Sequence, residues 1–231
     1  MTMHAETQPV PGIAVSWRQL AGLAGIVGVA LFVVGMALQS GFPTVNDEVA
    51  DVTAWFADNG DRYLVGNFLI WIGVVLFLVP FFLGLRSALA EAEGGEAMWT
   101  QAAFFGAAIF VIIGGVGTVP SSVLAFAAEE MDTDATVRSL QFGELVLYSG
   151  IAMGFALYFL ASGLVTLRTG VLWSWLGGAE LILAVLAVIG SANVIDGDPE
   201  GVLAIFGWIA FIGFGVVILL QSVGLLTKKS S

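Results

Sequence analysis

Cysteine is absent from this sequence, histidine occurs once, and lysine stands only at positions 228 and 229. The first absence removes disulfides, iron–sulfur clusters, thiolate-zinc sites and cysteine nucleophiles together. The lone histidine, His4, lies in a polar leader with Pro9 and Pro11. Bis-histidine haem, H-E-x-x-H zinc sites and a Ser/His intramembrane protease are therefore excluded. A retinal Schiff base needs a lysine inside a span, and neither lysine is in one. Basic residues number seven in 231 and are scattered, so no cluster exists to neutralise phosphates and nucleic acid is excluded as a partner.

Charged residues of either sign make up 11% of the chain, against about 25% in soluble domains. Motifs are equally scarce. Asp132-Thr-Asp134 and Asp196-Gly-Asp198 lack the rest of a calcium-binding loop and its twelfth-position Glu. No P-loop and no paired aspartates within a span are present. The expectation is a non-enzymatic structural or accessory membrane component with no metal and no organic cofactor.

What the chain has is apolar residues, at 58% with a mean hydropathy of +0.98. So much apolar surface requires lipid as part of the solvent. Six apolar segments, at about 18–40, 63–85, 100–127, 141–167, 171–192 and 202–226, each reach the ~20 residues that cross about 30 Å of hydrocarbon. Residues 1–16 read as a disordered leader, 17–227 as one transmembrane domain and 228–231 as a tail. The first apolar stretch is longer than the usual signal-peptide core of about 7–15 residues, which predicts an uncleaved anchor. The fold class is an all-α polytopic bundle of six transmembrane helices plus a short amphipathic helix outside the membrane.

Basic residues set the expected orientation. With the N-terminus in the cytoplasm, Arg18, Arg86, Arg168, Lys228 and Lys229 lie inside and only Arg62 and Arg138 outside. This predicts a plasma-membrane protein with both termini cytoplasmic, and twelve of the eighteen acidic residues then fall on the outer loops. In the first of those loops, Thr44-Val-Asn-Asp47 resembles a capping box, Val45, Val49, Val52 and Phe56 recur at helical spacing, and Asn59-Gly60 offers a stop. An amphipathic helix over 46–59 follows. Gly150-Ile-Ala-Met-Gly154 is a GxxxG sequence, read as a helix-packing face and, as the minor alternative, a homo-oligomer contact.

Glu180 is the most informative residue, because a carboxylate within a span is costly unless paired, protonated or wet. Gly177, Glu180, Ala184, Ala187 and Ser191 share one small and polar face, while Ile182, Val185 and Val188 lie on others, so Glu180 points into the bundle. Two readings compete: a proton or cation station, or a protonated acid that binds a neighbouring helix. Glu144 is shallower. Gln141, Glu144, Tyr148, Ala152, Phe155 and Ser162 share a stripe, which Asn67 of the second span is placed to meet. The candidate polar site is therefore Glu180, Glu144, Gln141, Tyr148 and Asn67, serving either helix orientation or, in a small transporter or channel, a path for protons, cations or a small solute.

The run Arg168-Thr-Gly-Val-Leu-Trp-Ser-Trp-Leu-Gly177 resembles an R-x-G-x-L-P-x-W-L-G run in uncharacterised bacterial six-span membrane proteins, a group defined only as a domain of unknown function. Phe42-Pro43, Asp47-Glu48 and Leu83-Gly-Leu-Arg86 are similar to that group as well, whereas Trp173 replaces its usual proline. The resemblance implies a six-span bacterial inner-membrane fold and no particular activity.

Overall fold

A computed structural model describes residues 16–131 and 134–228, apart from the Glu129 side chain. The leader expected over 1–16 lies outside them but for Ser16, and the tail over 228–231 but for Lys228. The described residues form helices without a strand. Six helices are long and apolar enough to cross a membrane: α1 Trp17–Leu38, α2 Val49–Glu93, α3 Met98–Ala127, α4 Asp134–Thr169, α5 Ser174–Asp196 and α6 Val202–Thr227. The chain is a multi-pass membrane protein.

Each helix packs on its neighbours in sequence, and α6 returns to α1, which closes a ring. α4 is the central post, 67% buried over its most apolar window against 28–39% for the others. Lipid offers no hydrophobic drive for helix association, so close packing must supply it. Glycines make that packing possible. A Cβ on Gly35 would stand 2.5 Å from the Gly66 carbonyl between α1 and α2, and one on Gly163 would stand 2.9 Å from the Gly177 carbonyl between α4 and α5. Gly150 and Gly154 face Ile113, Ile109 and Gly106 of α3, so the GxxxG packs two helices of one chain.

Two boundaries differ from the sequence reading. The helix expected over 46–59 forms from Val49 but continues without a break into the second span. Asn59 does not end it, because its Nδ2 donates to the Trp55 carbonyl at 2.9 Å inside the helix. Gly60 serves close approach: a Cβ there would stand 2.7 Å from the Ala125 carbonyl of α3. Thr44 and Asp47 do bond reciprocally, Thr44 N donating to Asp47 Oδ2 at 2.6 Å, yet they close a turn ahead of the helix. The carbonyls of that turn are held by α4: Arg138 donates to Val45 O at 2.5 Å and to Asp47 O at 2.7 Å, and Gln141 Nε2 to Thr44 O at 2.8 Å.

Both spans containing a proline depart from regular α-helix nearby. Residues Ile72–Leu78 of α2 are π-helical, with Val79 N donating to Val74 O, and Pro80 follows. Thr118 interrupts α3 just ahead of Pro120. A proline N cannot donate, and a wider or broken turn accommodates the loss.

One end of the bundle carries the loops at 39–48 and 197–201, the other the turns at 94–97 and 170–173. The first is called the acidic end below, from its carboxylates. At the second, Glu93 accepts from Trp99 N and Thr100 N at 3.0 and 2.8 Å, giving α3 the capping oxygens its own Ala97 lacks. Lys228 Nζ donates to Leu172 O at 2.7 Å at the same end.

Candidate functional site

The polar residues of the interior fall into two groups. Ser162, the partner of the deeper group, lies eighteen residues along α4 from Glu144, or about 27 Å of helix axis.

The deeper group is centred on Glu180, which is 0% exposed, as are Ser162 and Gln221. Ser162 Oγ lies 2.5 Å from Glu180 Oε2 and 2.7 Å from the Tyr158 carbonyl oxygen. Gln221 Nε2 donates to Glu180 Oε1 at 3.0 Å, and the Tyr158 hydroxyl donates to Gln221 Oε1. Ser162 Oγ donates toward Glu180 Oε2 and shares its one proton with the Tyr158 carbonyl. The chain runs from the Tyr158 hydroxyl through Gln221, Glu180 and Ser162 back to the Tyr158 carbonyl. It ties α4, α5 and α6 together and leaves no polar atom of Glu180 unsatisfied.

The second group surrounds Glu144, 4% exposed. Tyr148 OH donates to Glu144 Oε1 at 2.5 Å, and Ser121 of α3 donates to Oε2. Tyr63 of α2 is hydrogen-bonded to Ser121 as well. Gln141 sits one turn away and is engaged by Arg138, at 3.2 Å, and by the Thr44 carbonyl. Asn67 does not reach the α4 stripe: its Nδ2 donates to Ser122 of α3 at 3.0 Å, and its Oδ1 is buried without a partner.

Glu144 lines a cavity of about 590 Å³ in the acidic half of the bundle. Gln141, Glu144, Tyr148, Ala152 and Phe155 of the stripe read from the sequence line it from α4, whereas Ser162, the last residue of that stripe, bonds Glu180 instead. Tyr148 is 46% exposed although its hydroxyl is bonded, because its ring faces this space. Phe32 and Met36 of α1, Trp71 of α2, Phe110 and Gly114 of α3, and Trp208 and Phe211 of α6 complete the walls. Pro43, Thr44 and Val45 cover it together with Pro199 and Glu200. The two covering loops are joined by Asn46 Nδ2 donating to Asp198 Oδ1 at 3.0 Å. This bond, with one from Glu200 N at 2.9 Å, holds the Asp198 carboxyl below its ordinary range.

None of Glu180, Ser162, Gln221 and Tyr158 lines the cavity. Between the two groups lies a layer of rings: Phe214 stands 4.3 Å from Phe155, 4.9 Å from Phe110 and 5.5 Å from Tyr158, centroid to centroid. Sequence reasoning missed Gln221, Tyr158 and Ser121 as partners and placed Ser162 on the Glu144 stripe, not beside Glu180. Gln221 carried a signal, as the only amide in the sixth span.

No group of three His, Cys, Asp or Glu side chains able to hold a metal occurs among the described residues. No protein-family model matches the chain, and no curated protein or solved structure is similar to it.

Proposed function

We propose that this chain is a non-enzymatic component of the plasma membrane that holds a small molecule in its acidic-end cavity, while Glu180 packs helices. The observation that carries this reading is the aromatic layer. Phe214 and its neighbours stand between a cavity that contains Glu144 and a hydrogen-bond chain that uses up Glu180. The orientation we propose puts both termini in the cytoplasm and the acidic end outside. It is supported by Arg18, Arg86, Arg168 and Lys228 on one side of the spans. The run at Arg168–Gly177 supports a bacterial inner membrane. Small-solute transport is the second reading, favoured by the cavity at Glu144; a path onward through Glu180 has to cross the aromatic layer.

Absence of native cysteine allows a direct test with single cysteines and a membrane-impermeant thiol reagent. Gly114→Cys faces the cavity, where an added Cβ has its nearest neighbours at 3.9 Å. Ala184→Cys lies one turn from Glu180 and is 6% exposed. Rapid labelling at 114 and none at 184 is expected. Labelling at both positions at similar rates would place water beside Glu180 and overturn the reading.

A further inference from the structure

The chemistry of the cavity wall selects an occupant. Building on the reading of the cavity as a binding site, we propose that it takes a lipophilic organic cation: an apolar, aromatic body that carries one positive charge.

Charge comes first. The ionisable lining includes two carboxyl groups, Glu144 and Glu200, and no arginine or lysine. A phosphate, sulfate or carboxylate head finds no counter-charge there. Glu144 is nine-tenths buried and accepts from two hydroxyls, Tyr148 and Ser121, so that both of its oxygens are held by donors at the wall. The only charged side chains on the wall are therefore acidic.

The apolar walls agree. Trp71 and Trp208 face the space from α2 and α6, and the negative face of an indole attracts a cation, more strongly where water is excluded. A small, strongly hydrated ion gains little from such walls; a bulky cation with diffuse charge gains from both walls and carboxylate. The volume, about 590 Å³, falls in the range of about 300–1,000 Å³ typical of single small-ligand sites. The acidic loops over the cavity add a field that concentrates cations at its mouth.

Three probes of matched shape separate charge from hydrophobicity: tetraphenylphosphonium, tetraphenylborate and neutral tetraphenylsilane. Each is titrated into the purified full chain in detergent, with tryptophan fluorescence as readout because Trp71 and Trp208 line the site. The response of Gly114→Leu, whose side chain fills the cavity, is subtracted. We expect saturable phosphonium binding at least about ten-fold tighter than borate or silane. Glu144→Gln is expected to remove that preference, and Glu144→Asp and Glu180→Gln to keep it. If Glu144→Gln does not fold, the phosphonium and borate pair on the unaltered chain still decides the question. Borate or silane binding as tightly as phosphonium overturns the cation inference and leaves a binding cavity. No saturable response to any probe, or one that Gly114→Leu leaves intact, overturns the cavity reading itself.

Discussion

Two glutamates inside one bundle have opposite surroundings, and the difference lies in what each can bond. Glu180 has one hydroxyl neighbour, Ser162, which also reaches the Tyr158 carbonyl and can therefore give its proton to that carbonyl while accepting from the residue at 180. Glutamine matches glutamate in shape and offers its carbonyl oxygen to Gln221 and its NH2 to Ser162. Glu180→Gln is therefore expected to change stability by less than about 1 kcal/mol, whereas Glu180→Ala removes the partner of Gln221 and of Ser162 and costs about 2–6 kcal/mol at about 1–3 per unsatisfied group. Equilibrium unfolding in mixed micelles measures both, and equal losses in the two variants contradict this arrangement. Glu180's importance was legible in the sequence, because a carboxylate on a small-residue face has to point inward. Its partners were not, since a tyrosine, a serine and a glutamine on two other helices meet it only through packing. The stripe from Gln141 to Phe155 was legible for the opposite reason: periodicity along one helix needs no knowledge of its neighbours.

Helix pairing rests on backbone approach at small residues. Gly163→Ala places a methyl against the Gly177 carbonyl and the Glu180 Cβ and is expected to destabilise by about 1–3 kcal/mol. Gly215→Ala meets nothing within 4 Å, so it is expected to be neutral or stabilising by up to about 1 kcal/mol from helix propensity. Thermal unfolding of the two variants, side by side, checks the contrast. The number and placement of the spans followed from hydropathy, because lipid demands continuous apolar helix. The end of the outer helix did not follow. Asn59-Gly60 reads as a stop by local chemistry, yet Gly60 exists for the approach of α3, a tertiary cause. Likewise the Thr44–Asp47 pair has capping chemistry and makes its mutual bonds, but Arg138, ninety-one residues from Asp47, holds that turn apart from the helix.

Across the whole molecule, two loops distant in sequence close over one cavity, and a single exposed bond links them. Because Asn46 and the Glu200 amide hold Asp198 below the ordinary carboxylate value of about 3.9, the folded state binds that proton less readily than the unfolded one. The contribution is fully present above the ordinary value and is lost as pH falls through the lowered one. Hydrogen exchange in residues 44–48, corrected for its intrinsic pH dependence, is expected to stay slow through neutral and mildly acidic pH and to speed up only below that range. Asp198→Ala is expected to show the faster exchange through neutral and mildly acidic pH and to converge with the unaltered chain below that range. Unchanged protection in that variant contradicts a latch.

The division of the interior into a closed acid and an open one is tested most directly by infrared spectroscopy of carboxyl groups in deuterated buffer. The difference between the unaltered chain and Glu180→Gln is expected to show a carboxyl band that tetraphenylphosphonium leaves unchanged. The Glu144→Gln difference is expected to show a band that shifts when tetraphenylphosphonium is added. A Glu180 band that shifts with the probe would contradict the account, because Glu180 does not line the cavity and the Phe214 ring layer stands between them.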